Sequence, residues 1–109
     1  MNWKLLYLPE AVKDLERPDK SRRVLVQKMM DKVRANPLPL REGGYGKPLG
    51  NQSGYDLTGL LKIKLRSSGI RVVYRLVRTE AEMQVVVIGA RDEMEVYRTA
   101  WKRRKKYGV

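Results

Sequence analysis

The segment Leu61-Lys62-Ile63-Lys64-Leu65-Arg66-Ser67-Ser68-Gly69-Ile70-Arg71-Val72-Val73-Tyr74-Arg75-Leu76 reads as two strands joined by a tight turn. Leu61, Ile63 and Leu65 alternate with Lys62, Lys64 and Arg66. Past the Ser67-Ser68-Gly69 turn, Ile70, Val72, Tyr74 and Leu76 alternate with Arg71, Val73, Arg75 and Val77. A period of two sends successive side chains to opposite faces of a sheet, so each strand has one apolar face. The apolar sets meet only when Leu65 pairs with Ile70 and Ile63 with Val72; a slip of one residue sets Leu65 against Arg71. That register puts Lys64 directly opposite Arg71, and like charges opposed on a sheet repel. The second face of the strand pair carries five cations, Lys62, Lys64, Arg66, Arg71 and Arg75, and no acid. The expectation is an exposed sheet face built to receive an anion. The plain alternative is a solvated face on which Lys and Arg carry no message.

Outward from this pair, Met83 to Ala90 supplies a third strand, and Asn2 to Leu8, with Trp3, Leu5 and Tyr7 alternating around Lys4, a fourth. Pro9 suits a first helical position, and a short helix ends near Arg17-Pro18. Asp19 or Ser21 caps a second helix whose Val26, Met29, Met30 and Val33 form one buried stripe. Pro37 to Tyr55, with three prolines and five glycines, reads as a long loop. Asp92, with Glu95 three residues on, opens a last helix running to Tyr107 in the manner of a capping box. The order β-α-α-β-β-β-α predicts an α+β fold, a small antiparallel sheet packed against two N-terminal helices, in one domain over residues 1–109.

Composition sets the chemistry. Lys and Arg number 24 against 12 Asp and Glu, a net charge of +12, and 13 of the 24 cations fall in residues 62–109. Such a field favours phosphate-rich partners. Neither Cys nor His occurs. Thiolate catalysis, disulfides, the commonest general base and the commonest transition-metal ligand are thereby removed, and neither a metal nor a cofactor is expected. No apolar run approaches the roughly 20 residues that span a bilayer. Nothing at the N-terminus reads as a signal peptide, so a cytoplasmic location without membrane contact is expected.

The run from Lys62 to Tyr74, the later Val87-Ile88-Gly89-Ala90-Arg91, the Glu95-Val96-Tyr97 that follows, and Lys47-Pro48-Leu49 in the loop together resemble the RelE-type mRNA interferases of the RelE/ParE toxin superfamily. The likeness runs from about Trp3 to Lys102 and is most specific over residues 62–97. It implies a catalytic set of Lys62, Lys64, Arg71, Arg91 and Tyr97, all present in order; Ala90 departs from RelE itself, which has a further lysine there. It also implies a type II toxin that cleaves mRNA in the ribosomal A site. The ribose 2′-hydroxyl attacks the adjacent phosphate, leaving a cyclic phosphate and a 5′-hydroxyl, and translation stops.

The residues suit that reaction, because preorganised cations stabilise a pentacoordinate phosphate. Lys62 and Arg71 are the expected clamp, Lys64 is the candidate general base with Tyr97 as the other choice, and Arg91 faces the leaving oxygen. Tyr97 stacks on a base, orients the 2′-hydroxyl, or is a core aromatic of the last helix. Arg66, Arg75 and the tail Lys102, Arg103, Arg104, Lys105 and Lys106 are expected to contact RNA or the ribosome, the tail's alternative being a solvated helix end. Asp92, Glu93 and Glu95 are read as favouring a helix N-terminus. The implied partners are mRNA on the ribosome, ribosomal RNA, and a cognate antitoxin whose binding segment is acidic on balance. Two other readings remain: a ParE-like inhibitor of DNA gyrase, whose relatives generally lack the full basic set, and a non-catalytic RNA- or ribosome-binding module.

Overall fold

The computed structural model of the protein describes residues 3–17, 19–66, 68–90 and 92–109. In chain order the elements are β1 (Lys4–Tyr7), α1 (Pro9–Glu16), α2 (Lys20–Val33), a 3-10 turn (Leu40–Glu42), and three short strands, β2 (Lys47–Pro48), β3 (Asn51–Gln52) and β4 (Tyr55–Asp56). Then come β5 (Leu60–Leu65), β6 (Ile70–Val77), a second 3-10 turn (Arg78–Glu80), β7 (Glu82–Gly89) and α3 (Glu93–Tyr107). The α+β class and the order of the long elements match the expectation. Pro9 opens α1, where its missing N–H leaves no helical bond unmade. Asp19, rather than Ser21, caps α2 by accepting from the Arg22 N–H at 2.9 Å. Asp92 caps α3 by accepting from the Met94 N–H at 2.9 Å, and Glu95 makes no return bond among the described residues.

The main sheet runs β1-β7-β6-β5-β2. Leu65 pairs with Ile70, Ile63 with Val72 and Lys64 with Arg71, the register set by the alternation. Pairing is antiparallel except at one edge, where β1 lies parallel to β7, with Leu5 opposite Met83 and Tyr7 opposite Val85. Parallel neighbours need a long crossover, and here about two thirds of the chain separates the two strands. The loop expected from Pro37 to Tyr55 contains pieces of pairing too short for a periodic signal. In it, β2 extends the sheet by setting Lys47 opposite Lys62 and Pro48 opposite Leu61.

The largest departure is that the sheet has a core on each face. On one, Ala11, Val26, Met30 and Val33 of α1 and α2 pack against Leu61, Ile63, Ile70, Val72 and Tyr74. The other face, expected to be exposed, is crossed by α3, whose Val96, Tyr97 and Ala100 pack with Leu60, Val73, Val86 and Val87. The apolar content of this face explains the covering. Val73 interrupts the cationic half of β6, and a register shift beside it brings both Val86 and Val87 of β7 into the same core. Lys62 is consequently only 8% exposed.

A polar joint ties α3 to α1. Asp14 and Arg103 are both buried, and Arg103 Nη1 and Nη2 donate to the two Asp14 oxygens. Asp14 Oδ2 also accepts from the Ile88 N–H at 3.1 Å, and Arg103 Nη1 donates to the Val86 carbonyl at 2.9 Å. Glu10 closes the joint, accepting from Lys106 Nζ at 2.7 Å and from the Tyr107 hydroxyl at 3.2 Å. Arg103, expected in an RNA-contacting tail, is therefore an interior residue. Val96, Ala100 and Arg103 share one helical stripe, and that stripe faces the core.

Candidate active site

The β5–β6 register sets the site. It brings Lys64 opposite Arg71 and leaves Lys62 one pleat away, opposite Val73. The first turn of α3 comes down beside them. Glu93 Oε2 accepts from Arg71 Nε at 2.9 Å and from Lys62 Nζ at 3.2 Å. One turn further along the helix, the Tyr97 hydroxyl accepts from Lys62 Nζ at 2.9 Å. Arg71 Nη1 donates to the Gly69 carbonyl at 3.0 Å, which ties the guanidinium to the turn. Arg71 Nη2 has no partner among the described residues. Two donors of the clamp are thus fixed on one carboxylate oxygen, while further N–H groups remain available.

Charge state follows from these contacts. Burial pulls the Lys62 ammonium down, but the hydrogen bonds to Tyr97 and Glu93 outweigh it, and the pKa lies above the ordinary lysine value. Lys62 is a permanent cation at neutral pH. The Arg71 hydrogen bond, with Lys62 beside it, holds the Glu93 carboxyl below the usual carboxylate range against its partial burial. Glu93 is the residue that reading the sequence missed. Its place at the start of a helix marks it as a dipole acid, yet it stands four residues before Tyr97 and so shares that residue's helical face.

The remaining candidates divide. Lys64 is exposed and makes no hydrogen bond or ion pair with a described residue. It lines a groove of about 850 Å³ with Lys62, Lys47, Arg66, Lys32, Tyr45 and Glu93. Arg91 lies outside the described residues. The Tyr97 ring is 2% exposed, within the core under α3. Stacking on a base needs an open ring face, so that role is withdrawn and the hydroxyl is what the site keeps. Arg75 sits beyond Val73, with its Nε donating to Gln84 Oε1 at 2.7 Å, and does not line the groove.

The tail leaves the site altogether, since ten residues of helix put Arg103 roughly 15 Å along the axis from Glu93. Arg104 donates to the carbonyls of Asp56 and Thr58, each at 3.0 Å. Lys106 pairs with Glu10, and Lys105 Nζ lies 3.9 Å over the Trp101 ring centre. Lys102 and Lys105 are exposed, and Lys106 is exposed but paired. The expected basic patch of five is reduced to these.

No family model matches the chain. A stretch of 42 residues, 38% of the chain, is 48% identical to the mRNA interferase toxin RelE of Escherichia coli strain K12, and the match spans 44% of that protein's length. Over 104 residues, 94% of the chain and 98% of the relative, it is 30% identical to a protein of Escherichia coli described as a RelE-like toxin. Among solved structures, a double mutant of the E. coli toxin RelE in the free state superposes with a TM-score of 0.70 at 27% identity, covering 94% of this chain and 98% of that one. The same mutant in complex with the antitoxin peptide RelBc gives 0.67 at 26% identity, covering 92% and 95%.

Proposed function

The chain belongs to the RelE-type toxin family, and from that membership and the site just described we propose that it is a ribosome-dependent, metal-independent endoribonuclease that cuts mRNA in the A site. One observation carries the reading. Lys62 and Arg71, held by fixed partners, converge at 3.2 and 2.9 Å on a single anionic oxygen, that of Glu93. A phosphate oxygen arriving at this point meets preorganised cations, which need no rearrangement as charge builds. Lys64, exposed one pair further along β5, takes the 2′-hydroxyl proton. The 2′-oxygen bonds to phosphorus, the bond to the 5′-oxygen breaks, and that oxygen takes a proton from solvent water, the resulting hydroxide being neutralised by the proton that Lys64 gives up to solvent. The products are a cyclic phosphate and a 5′-hydroxyl. Arg91 neutralises the leaving oxygen. Tyr97 is a positioning residue: its hydroxyl orients the Lys62 ammonium. In the resting protein Glu93 fills the anion's place and yields it to the substrate.

A type II toxin requires a cognate antitoxin, and the RelE–RelBc complex supports one here. Its binding segment is acidic on balance and covers the basic groove or displaces α3. No helix among the described residues is long and apolar enough to cross a membrane, and a ribosomal substrate puts the protein in the cytoplasm.

The test is to add purified protein to ribosomes programmed with a defined message and to map new 5′ ends by primer extension. Naked message runs alongside, and a parallel set has magnesium replaced by exchange-inert cobalt hexammine. Cuts in the A-site codon in both ionic conditions, lost in Lys64→Ala and Arg71→Ala, support the proposal. Equal cutting of naked message removes the ribosome from it. Intact message with inhibited DNA gyrase favours the ParE-like reading. Ribosome binding without cleavage favours a non-catalytic module.

A further inference from the structure

The groove does not end at the cleavage cluster. It continues from Lys62 and Lys64 past Lys47 to Tyr45 and Lys32, along the side of β5 that β2 leaves uncovered beyond Lys62. We propose that this extension is a nucleotide subsite for single-stranded RNA, in which the Tyr45 ring stacks one base while Lys32 and Lys47 hold the flanking phosphates. The inference rests on the phosphate-site reading of Lys62 and Arg71, because it takes the bound strand to run on from that point.

Three observations meet here. The first is an exposed aromatic ring on a loop built to hold it. Tyr45 is 45% exposed, yet its backbone is tied on every side. The Tyr45 N–H donates to the Asn36 carbonyl at 3.1 Å, the Gly46 N–H to the Leu38 carbonyl at 3.0 Å, and the Leu40 N–H to the Gly46 carbonyl at 2.8 Å. Asn36 Nδ2 donates to the Gly43 carbonyl at 3.1 Å. The buried Tyr74 hydroxyl donates to the Pro37 carbonyl at 2.8 Å and so anchors the loop to the core. The glycines on either side of Tyr45 permit this tightness: a Cβ at Gly44 would stand 2.0 Å from the Leu38 carbonyl oxygen, and one at Gly46 2.3 Å from the Tyr74 hydroxyl. A loop with such constraints presents its aromatic residue in one place. A large apolar ring fixed in solvent is what a stacking partner requires.

The second observation is charge. Lys32 Nζ lies 5.5 Å from the Tyr45 ring centre, and Lys47 stands opposite Lys62 across β2 and β5. Five cations line the groove, and its one acid among the lining residues, Glu93, is already paired to Lys62 and Arg71. The third is continuity. The same groove, about 850 Å³, joins the ring to Lys64 and falls within the usual volume of a ligand cleft. An aromatic platform set among cations is the combination by which proteins hold single strands without reading every base.

The experiment measures fluorescence anisotropy of the full chain with a short single-stranded RNA whose 2′-hydroxyls are methylated, so that it binds without being cut. Tyr45→Ala weakens binding roughly 10-fold or more, and Tyr45→Trp restores it. An abasic nucleotide scanned along the oligonucleotide finds one position at which wild type and Tyr45→Ala bind alike. Lys32→Ala lowers the dependence of log K on log salt by about 0.7, one phosphate contact on a single strand. If Tyr45→Ala binds as wild type does at every position, the subsite is overturned and the cleavage reading stands. If the wild-type chain binds no free RNA, the subsite is overturned, and the ribosome-dependent cleavage reading stands or falls on its own primer-extension test. If a polyglutamate peptide binds with the same loss in Tyr45→Ala and the abasic scan is flat, the groove serves a protein partner and the proposal is overturned.

Discussion

Replacing Glu93 by glutamine separates two effects that ordinarily run together, because stability and RNA affinity should move in opposite directions. The carboxylate accepts from Arg71 at 2.9 Å and from Lys62 at 3.2 Å, and its own side chain is 40% exposed. A fully buried version of such a pair would cost several kcal/mol to break. Solvent screening at this exposure brings the loss for Glu93→Gln to about 1 kcal/mol, a fall in Tm of roughly 5 °C for a domain of this size. For the ligand the sign reverses. An RNA phosphate entering the clamp faces the Glu93 charge at close range, and at 4 Å two unit charges repel by ~1 kcal/mol in water and ~4 kcal/mol at an effective dielectric of 20. A half-open site lies nearer the first figure, so removal of the charge tightens binding by about 1–2 kcal/mol, some 5- to 30-fold.

The same contact also fixes a pH signature. The Glu93 pKa is depressed in the folded protein. Its stabilising contribution is therefore full above the unfolded carboxyl value, near ~4.3, and is lost as pH falls through the lower folded value. The stability gap between wild type and Glu93→Gln should be constant at neutral pH and close in acid. Thermal melts across pH, with anisotropy on the non-cleavable RNA, measure both. A variant that melts with wild type and binds RNA no tighter would refute the idea that Glu93 is the clamp's resident anion.

Lys64→Ala, an exposed change without a side-chain partner among the described residues, should alter stability by no more than ~0.5 kcal/mol while lowering the single-turnover cleavage rate by ~10²–10⁴. Tyr97→Phe keeps the buried ring and removes only the acceptor for Lys62. A stability loss of about 1 kcal/mol in urea melts should accompany a larger proportional drop in cleavage rate than in RNA affinity; an unchanged rate would make Tyr97 a core residue only. Asp14→Ala removes the bidentate partner of a buried guanidinium, leaving it Glu10 at 3.2 Å and the Val86 carbonyl, and should cost ~2–3 kcal/mol by urea denaturation; adding Arg103→Ala should recover part of that loss.

What was legible in the sequence was local. The alternation of Leu61 to Leu76 sufficed for the β5–β6 register, including the forced Lys64–Arg71 opposition, because a single-residue slip inverts the faces. Helix starts at Pro9 and Asp92, and a second helix capped by Asp19 or Ser21, followed from helix-start chemistry. Contacts distant in sequence were not legible. Asp14 and Arg103 are 89 residues apart, and within a run of five cations nothing but the stripe through Val96 and Ala100 marks Arg103 as the inward one. The parallel placement of β1 and the descent of α3 onto the cationic face depend on how the whole chain closes. Without the position of α3, Lys62 reads as exposed and Glu93 as a helix-end acid, so sequence alone shows the clamp without the carboxylate that completes it.

The joint between Asp14 and Arg103 has a consequence for how the sheet terminates. β1 accompanies β7 only as far as Val85, and beyond that point the outer margin of β7 has no neighbouring strand among the described residues. There the Ile88 N–H meets a carboxylate from α1 and the Val86 carbonyl meets a guanidinium from α3. The two side chains stand in for a missing strand, an acceptor and a donor matched to the main chain they cover. This closure lasts only while both helices are docked. If α3 lifts away, the guanidinium leaves with it and the Val86 carbonyl is bared on an open strand edge, while Asp14 still covers the Ile88 N–H. Docking of the last helix and closure of that edge are thereby one event, and a partner that takes the place of α3 must bring a donor for the Val86 carbonyl.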